Sequence, residues 1–521
     1  MKANKTYSIV ISLIVALGGF LLGFDSAVIS GATPFYKVYF NLPSGSFLIG
    51  FSVGSIILGA ILGNISAGSL ADKYGRKIIL IFTAFLFSLC ALGTAFSTNI
   101  YMFIAARIVG GIGVGMAILI APMYIAEIAP KKLRGTLVTF NQLNIVLGIS
   151  IAYFSNYYIL QTVTDPETNW RWMLGVGVLP AALYFIFLFF VPGSPRWLIQ
   201  KGNDEEGMKI IRKINGDQEA EIIYKEIKES LEKSKDQEVG KWSDVFTSRM
   251  KTVLIIGFGI AFFQQITGIN AIFYYAPMIF EMTGGGKDAA FMQAALLGLT
   301  NVVMTIVSMA LIDRLGRKPL LIIGSIGITL SLGMAGFAFS NAVYKITPES
   351  ITQIEKDINN PELSSAMVLK LNSMTDKEYD SETAFFGDIK LNVGAADYNT
   401  YKEVILKSSI SINTMLVLIG LILYVASFAI SLGPVMWALL SEIFPNKLRG
   451  VAISIVGFWN SIVSFSVASI FPAELEFLGS ATTFFIYAVF GALTLLFVLK
   501  FIKETKGKSL EEIEETMIRM H

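Results

Sequence analysis

The chain has 521 residues, 54% of them hydrophobic and only 15% charged, with a net charge of +2 and a mean hydropathy of +0.63. Soluble domains carry roughly 25% charged residues, so this composition points to a membrane protein, and its near-neutral balance offers no electrostatic footprint for nucleic acid. The single cysteine, Cys90, excludes a disulfide frame and a multi-cysteine metal site; the single histidine, His521, leaves no histidine pair for catalysis or metal ligation. No nucleophile–base constellation is visible either, so the chain reads as a non-enzyme without metal or organic cofactor.

In chain order, Lys2 and Lys5 precede an apolar run from Ile9 that continues past Gly23 without a small-residue cleavage site, which makes it a first membrane span rather than a signal peptide. About 20 apolar residues cross the hydrocarbon core. Twelve spans are predicted, at 9–33, 47–70, 77–97, 100–126, 135–160, 171–192, 252–281, 289–312, 319–341, 410–440, 448–472 and 480–502. Basic residues cluster in alternate connections: Lys73, Arg76 and Lys77; Lys131, Lys132 and Arg134; Arg314, Arg317 and Lys318; Lys447 and Arg449; and the tail from Lys500. The positive-inside rule places these connections and both termini in the cytoplasm.

The chain is written twice. Asp72-Lys-Tyr-Gly-Arg76-Lys recurs as Asp313-Arg-Leu-Gly-Arg317-Lys at an offset of 241, and Glu127-Ile-Ala-Pro-Lys-Lys-Leu-Arg134-Gly recurs as Glu442-Ile-Phe-Pro-Asn-Lys-Leu-Arg449-Gly at an offset of 315. Six spans therefore repeat as six spans, the pattern of two parallel halves. The difference of 74 between the offsets locates an insertion in the second half, for which the polar stretch at about 341–409 is the candidate. The predicted organisation is an N-terminal half at 1–192, a linker of two or three short cytoplasmic helices at 193–250, and a C-terminal half at 251–521 carrying the insert and a cytoplasmic tail from about 503. The insert holds 11 acidic against 7 basic residues between Asn341 and Lys407, in keeping with the outer side.

Three groups of polar residues and one glycine run stand out against this apolar background. The Asp-x-x-Gly-Arg-Lys loops and the Glu127/Arg134 and Glu442/Arg449 pairs read as charge clamps between helix ends, able to form on one side and break as the halves move; one exposed pair is weak, so a network is needed. Gly110-Gly-Ile-Gly-Val-Gly115 lies in a span and follows no strand, so it reads as close helix packing and not as a dinucleotide loop. Asp25 and Arg107 are ionisable groups inside spans, which marks them as functional candidates. A carboxylate beside an arginine stays ionised; when the arginine turns away, desolvation favours proton uptake, which couples protonation to conformation. A buried ion pair that only locks helices is the alternative. Finally, Gln264, Gln265 and Asn270 crowd one span. Amides in hydrocarbon are costly unless bonded, and three together suit a neutral, hydroxyl-rich ligand. They cannot share one face of a straight helix, so with Gly268 between them and Pro277 after them a bent or unwound segment is expected.

These residues resemble the sugar porters of the major facilitator superfamily, a family of proton–sugar symporters and passive glucose facilitators. The resemblance covers nearly the whole chain and rests on Gly68–Lys77, Arg107–Gly115, Pro192-Gly-Ser-Pro-Arg-Trp-Leu198, Gln264–Asn270, Gly433-Pro-Val-Met-Trp437 and Glu504-Thr-Lys-Gly-Lys-Ser-Leu510. It implies an all-α twelve-helix fold and sugar ligands at Gln142, Gln264, Gln265, Asn270, Asn301, Trp437 and Asn460. It also implies a proton site at Asp25 paired with Arg107, an acid that passive members usually lack. Ile149 and Phe273 replace the polar and aliphatic residues of the xylose-carrying members and look more like the hexose carriers. One departure is Gly193, where the family usually has Glu. The resulting expectation is a monomeric, proton-coupled carrier of a hexose such as glucose, or of xylose, in a bacterial inner membrane, with a passive facilitator or a non-transporting sugar sensor as alternatives.

Overall fold

The computed structural model describes residues 4–508 apart from 44, 131–132, 237–241, 248–249, 359–360, 376, 380 and 446–447, together with 512. Lys2, Lys131, Lys132, Lys447 and His521 lie outside the described residues. Among these residues, eleven helices are long and apolar enough to cross a membrane. The longest, Arg449–Phe501, is two spans, because its path breaks at Gly479 (φ 77°, ψ 163°). The twelve spans are span 1 (Lys5–Tyr39), span 2 (Phe47–Tyr74), span 3 (Arg76–Ala95), span 4 (Ile100–Ile128), span 5 (Arg134–Thr162), span 6 (Asn169–Phe189), span 7 (Lys251–Glu281), span 8 (Gly286–Leu315), span 9 (Arg317–Ser340), span 10 (Thr414–Ile443), and spans 11 and 12 on either side of Gly479.

Local sequence explains where the helices begin and how closely they pack. Asn4, Ser46, Asn99 and Asn413 each accept a hydrogen bond from a first-turn amide of spans 1, 2, 4 and 10, which satisfies one of the donors a helix start leaves open. Large apolar side chains such as Ile65, Tyr101, Leu330 and Leu496 point outward, a surface that suits lipid and not water. The glycine run at 110–115 packs span 4 against span 2: a Cβ on Gly111 would strike the carbonyl of Ile56, and one on Gly59 the carbonyl of Ile108. Close approach through small residues is how apolar helices associate where burial gives no drive.

Three spans besides the last helix are interrupted. Span 6 divides after Gly175, span 7 at Thr267 and Gly268, and span 10 at Ser431. Gly268 has φ 92°, and a Cβ there would lie 2.8 Å from the Tyr487 ring, so both backbone and space require glycine. The break in span 10 departs from the uninterrupted run predicted from 410: Ile410 and Ser411 form a strand, the helix starts at Thr414, and it turns at Ser431.

The contacts between the two sets of six spans gather toward one end, opposite the Asp-x-x-Gly-Arg-Lys loops. Gln161 donates to Asp288 at 2.8 Å, Phe35 meets Phe291 and Phe51 meets Phe465, and the Tyr153 hydroxyl donates to the Phe273 carbonyl at 2.5 Å. The insert lies at that same end, since it follows the far end of span 9, and it has a fold of its own. Strand β1 (Val343–Lys345) pairs antiparallel with β2 (Glu378–Tyr379) and β3 (Ile410–Ser411), and four helices run between Pro348 and Ser409. It is fastened to the bundle at the Gly479 break: the buried Glu382 accepts from the Ser480 amide at 2.9 Å, and Lys402 pairs with Glu476 at 2.8 Å. The linker forms four helices instead of two or three, Pro195–Gln200, Asp204–Asn215, Asp217–Asp236 and Trp242–Val245, with a small core of Ile199, Ile211 and Ala220.

Candidate substrate and proton sites

The interruption of span 7 turns its amides inward and gives them partners. The Gln264 amide donates to the Leu432 carbonyl at 3.0 Å, just past the break of span 10, while the carbonyls the break leaves open are met by hydroxyls, Ser431 on Ser427 at 2.6 Å and Ser308 on Ile430 at 3.4 Å. Gln265 donates to Gln264 Oε1 and to Asn460 Oδ1, both at 3.1 Å. Asn460 donates to Gln264 Oε1 and to the Ala261 carbonyl, both at 2.9 Å. Asn270 donates to Gln265 Oε1 at 2.8 Å and to Ser464 Oγ at 2.5 Å. Tyr424 donates to the Thr267 carbonyl at 3.0 Å and so satisfies the end of the first segment. Four of the predicted ligand residues thus form one network spanning spans 7 and 11. Ser464 belongs to it and was missed, because a lone serine in an apolar run carries no signal of its own.

The other predicted pocket residues take separate positions. Gln142 is exposed on span 5 and Asn301 is buried on span 8; among the described residues neither bonds to the network. Trp437 follows the span 10 break and remains 45% exposed, its ring 3.7 Å from where a Cβ on Gly457 would stand. Of the proposed selectivity pair, Phe273 is buried and its carbonyl takes the Tyr153 hydroxyl, one helical turn from the half-buried Ile149. These residues offer bonded amides, an exposed indole and apolar side chains. Amides can take hydroxyl groups in both donor and acceptor senses, and a flat aromatic face suits the C–H face of a sugar ring.

Asp25 and Arg107 meet inside the first six spans, with Arg107 fully buried and the Asp25 side chain 16% exposed. Their closest ionic approach is 3.6 Å. The guanidinium is held instead by two backbone carbonyls, Asp25 O and Val53 O, each at 3.3 Å. The pair is thus loose, inside the bundle and off the lipid face, without a bidentate bridge.

The acid and base of each Asp-x-x-Gly-Arg-Lys loop do pair, but Glu127 and Glu442 take partners other than Arg134 and Arg449. Arg76 pairs with Glu127 at 3.2 Å and Asp72 at 3.1 Å, and Arg317 pairs with Glu442 at 2.8 Å and Asp313 at 3.4 Å. The predicted pairs Glu127/Arg134 and Glu442/Arg449 are not made. Span 4 ends at Ile128 and Arg134 starts the next helix, where it makes no ion pair among the described residues; Arg449 donates to the Phe444 carbonyl at 3.2 Å. Ser194 donates to the second oxygen of Glu127, and Thr505 to that of Glu442 at 2.6 Å. Both hydroxyls sit in motifs already noted, but only their matching places in the two halves give them a role.

Comparisons with known proteins give the family. A family profile described as "Sugar (and other) transporter" matches residues 11–353 and 396–517, so most of the insert falls outside the family frame. The chain is 34% identical over 516 residues to the "Arabinose-proton symporter" of Bacillus subtilis, covering 98% of this chain and 96% of that protein. It is 34% identical over 521 residues to the "Glucose transport protein" of Synechocystis, covering 98% of each. Among solved structures, the inward open conformation of the xylose transporter XylE from E. coli matches with a TM-score of 0.75 and 31% identity, covering 98% of this chain and all of that one. With a two-part match over most of its length, relatives aligned end to end and twelve spans in the same arrangement, the chain belongs to the sugar transporter family of the major facilitator superfamily.

Proposed function

We propose that this protein carries a monosaccharide across the membrane by alternating access, driven by protons taken up on Asp25. The observation that carries the reading is the convergence of Gln264, Gln265, Asn270 and Asn460 at the paired breaks of spans 7 and 10. A ligand bound there would exchange its hydroxyls for amide–amide bonds already made, so the site stays satisfied both empty and full. Gln142, Asn301 and Trp437 complete the pocket from other spans. Ile149 and Phe273 set its fit, which favours a hexose such as glucose.

Residues 1–192 and 251–521 are the two rocking bodies, joined by the linker at 193–250. The clamp end and both termini face the cytoplasm, and the insert faces outward, in keeping with the basic and acidic residues on either side. The contacts between halves lie toward the insert end while Gln142 and Trp437 stand exposed, which supports a state open to the cytoplasm. One chain supplies the whole site, so a monomer suffices; relatives from bacteria support the inner membrane as its place. Gln265→Ala tests the pocket. It should weaken sugar binding by roughly tenfold, about the effect of one well-placed hydrogen bond, measured by isothermal titration in detergent; an unchanged affinity would overturn the assignment.

A further inference from the structure

Beyond Arg107, the carboxylate of Asp25 has one side-chain hydrogen-bond donor among the described residues: the thiol of Cys90, on span 3, whose Sγ lies 3.8 Å from Oδ1. The second oxygen, Oδ2, accepts no hydrogen bond, and the Arg107 guanidinium spends its bonds on carbonyls. Span 4 backs the thiol closely, since a Cβ on Gly110 would strike the Cys90 sulfur. Cys90 is itself fully buried and makes no disulfide. The charged and titratable groups facing Asp25 are therefore Arg107 from span 4, Cys90 from span 3 and, across the halves, Tyr274 from span 7.

We propose that Cys90 is a positioning residue for proton coupling: its S–H steadies the ionised carboxylate of Asp25 and lets it go when a proton arrives. A thiol is a weak donor and a weak acceptor. It can therefore face the carboxylate as donor and the protonated acid as acceptor, without the cost a buried hydroxyl or amide would impose if left unpaired. The long ion pair and the thiol together hold the carboxylate lightly, as a group that must take up and release a proton in each cycle requires.

This inference rests on the proton-coupled reading, and two measurements keep the two apart. Because Cys90 is the only cysteine, its S–H stretch is a single infrared band in the intact protein. The band should shift with pH in the unaltered chain and lose that dependence in Asp25→Asn. A band that ignores pH in the unaltered chain overturns the role of Cys90, whatever the transport assay shows. In proteoliposomes, Cys90→Ala should move the pH of half-maximal uptake upward, to about threefold lower proton concentration (roughly half a pH unit), the effect of losing a weak donor to the ionised form. Cys90→Ser, which restores a donor, should lie at or below the unaltered midpoint. Equal shifts in both variants, or a change in maximal rate with the midpoint fixed, would mean that the side chain only packs.

Discussion

The charge clamps of the two halves match almost atom for atom, and the exception is instructive. Arg76 and Arg317 each pair with two carboxylates and each donate to a carbonyl five residues back, Ala71 and Ile312, at 3.2 Å. Lys77 and Lys318 each reach a carbonyl near the end of another span, Phe189 and Leu499. Ser194 and Thr505 each hold the glutamate. The residue before each hydroxyl differs: Glu504 in the second half, Gly193 in the first. Glu504 accepts from the amides of Arg317 and Lys318, both at 3.0 Å, and so caps the start of span 9, while it also takes the amides of Thr505 and Lys506. In the first half, among the described residues, no carboxylate caps the amides of Arg76 and Lys77. The indole of Trp197 covers Gly75 instead and donates to the Asp72 carbonyl at 3.1 Å. An anion at a helix start is favoured by both the open amides and the helix dipole, so the second clamp is the firmer one.

Removing that cap should have the largest effect. Glu504→Ala should cost about 1–2 kcal/mol after discounting for partial exposure, read as a lower Tm of the purified chain in detergent; an unchanged Tm would mean that the cap is ornamental. The opposite substitution sharpens the comparison. The first atom a Cβ on Gly193 would meet is the far end of the Leu198 side chain, at 3.2 Å, which has to give by a few tenths of an ångström; with that adjustment Gly193→Glu should stabilise the first clamp by about 0.5–1 kcal/mol and lower the maximal rate of sugar exchange. A fall in Tm would show that the halves are not equivalent at this position.

The smallest effect is on pH dependence. Burial alone would raise the pKa of Glu504, but the four backbone amides hold it below the usual glutamate value. A folded value below the unfolded one adds stability above the ordinary glutamate range, and this is lost as pH falls through the folded value. Tm should therefore drop on acidification through that window, and less steeply in Glu504→Gln. Parallel curves would assign the acid sensitivity elsewhere.

Much of the fold was legible because membrane physics leaves few options. Long apolar runs must be helices, and repeated loops such as those at Asp72 and Asp313 must be repeated halves. The amide cluster was legible for the same reason, since Gln264, Gln265 and Asn270 have no cheap place in hydrocarbon. What escaped depended on distant residues. Glu127 and Arg134 are near in sequence, but the helix end between them turns Glu127 toward Arg76, 51 residues away. The break at Ser431 had a local signal in Gly433-Pro434 that the apolar run around it outweighed, and only the fold shows that Ser308, 122 residues earlier, reaches the Ile430 carbonyl it leaves open. The sheet of the insert pairs strands of two and three residues, too short to leave a period in the sequence.

The central claim is that sugar movement is coupled to a proton on Asp25. Reconstituted into proteoliposomes, the chain should accumulate labelled glucose or xylose when a pH gradient is imposed, and only equilibrate the sugar without one. Asp25→Asn should abolish the accumulation while exchange of sugar across the membrane continues. Accumulation that persists in Asp25→Asn, or an unaltered chain that equilibrates sugar equally with and without the gradient, would contradict the account.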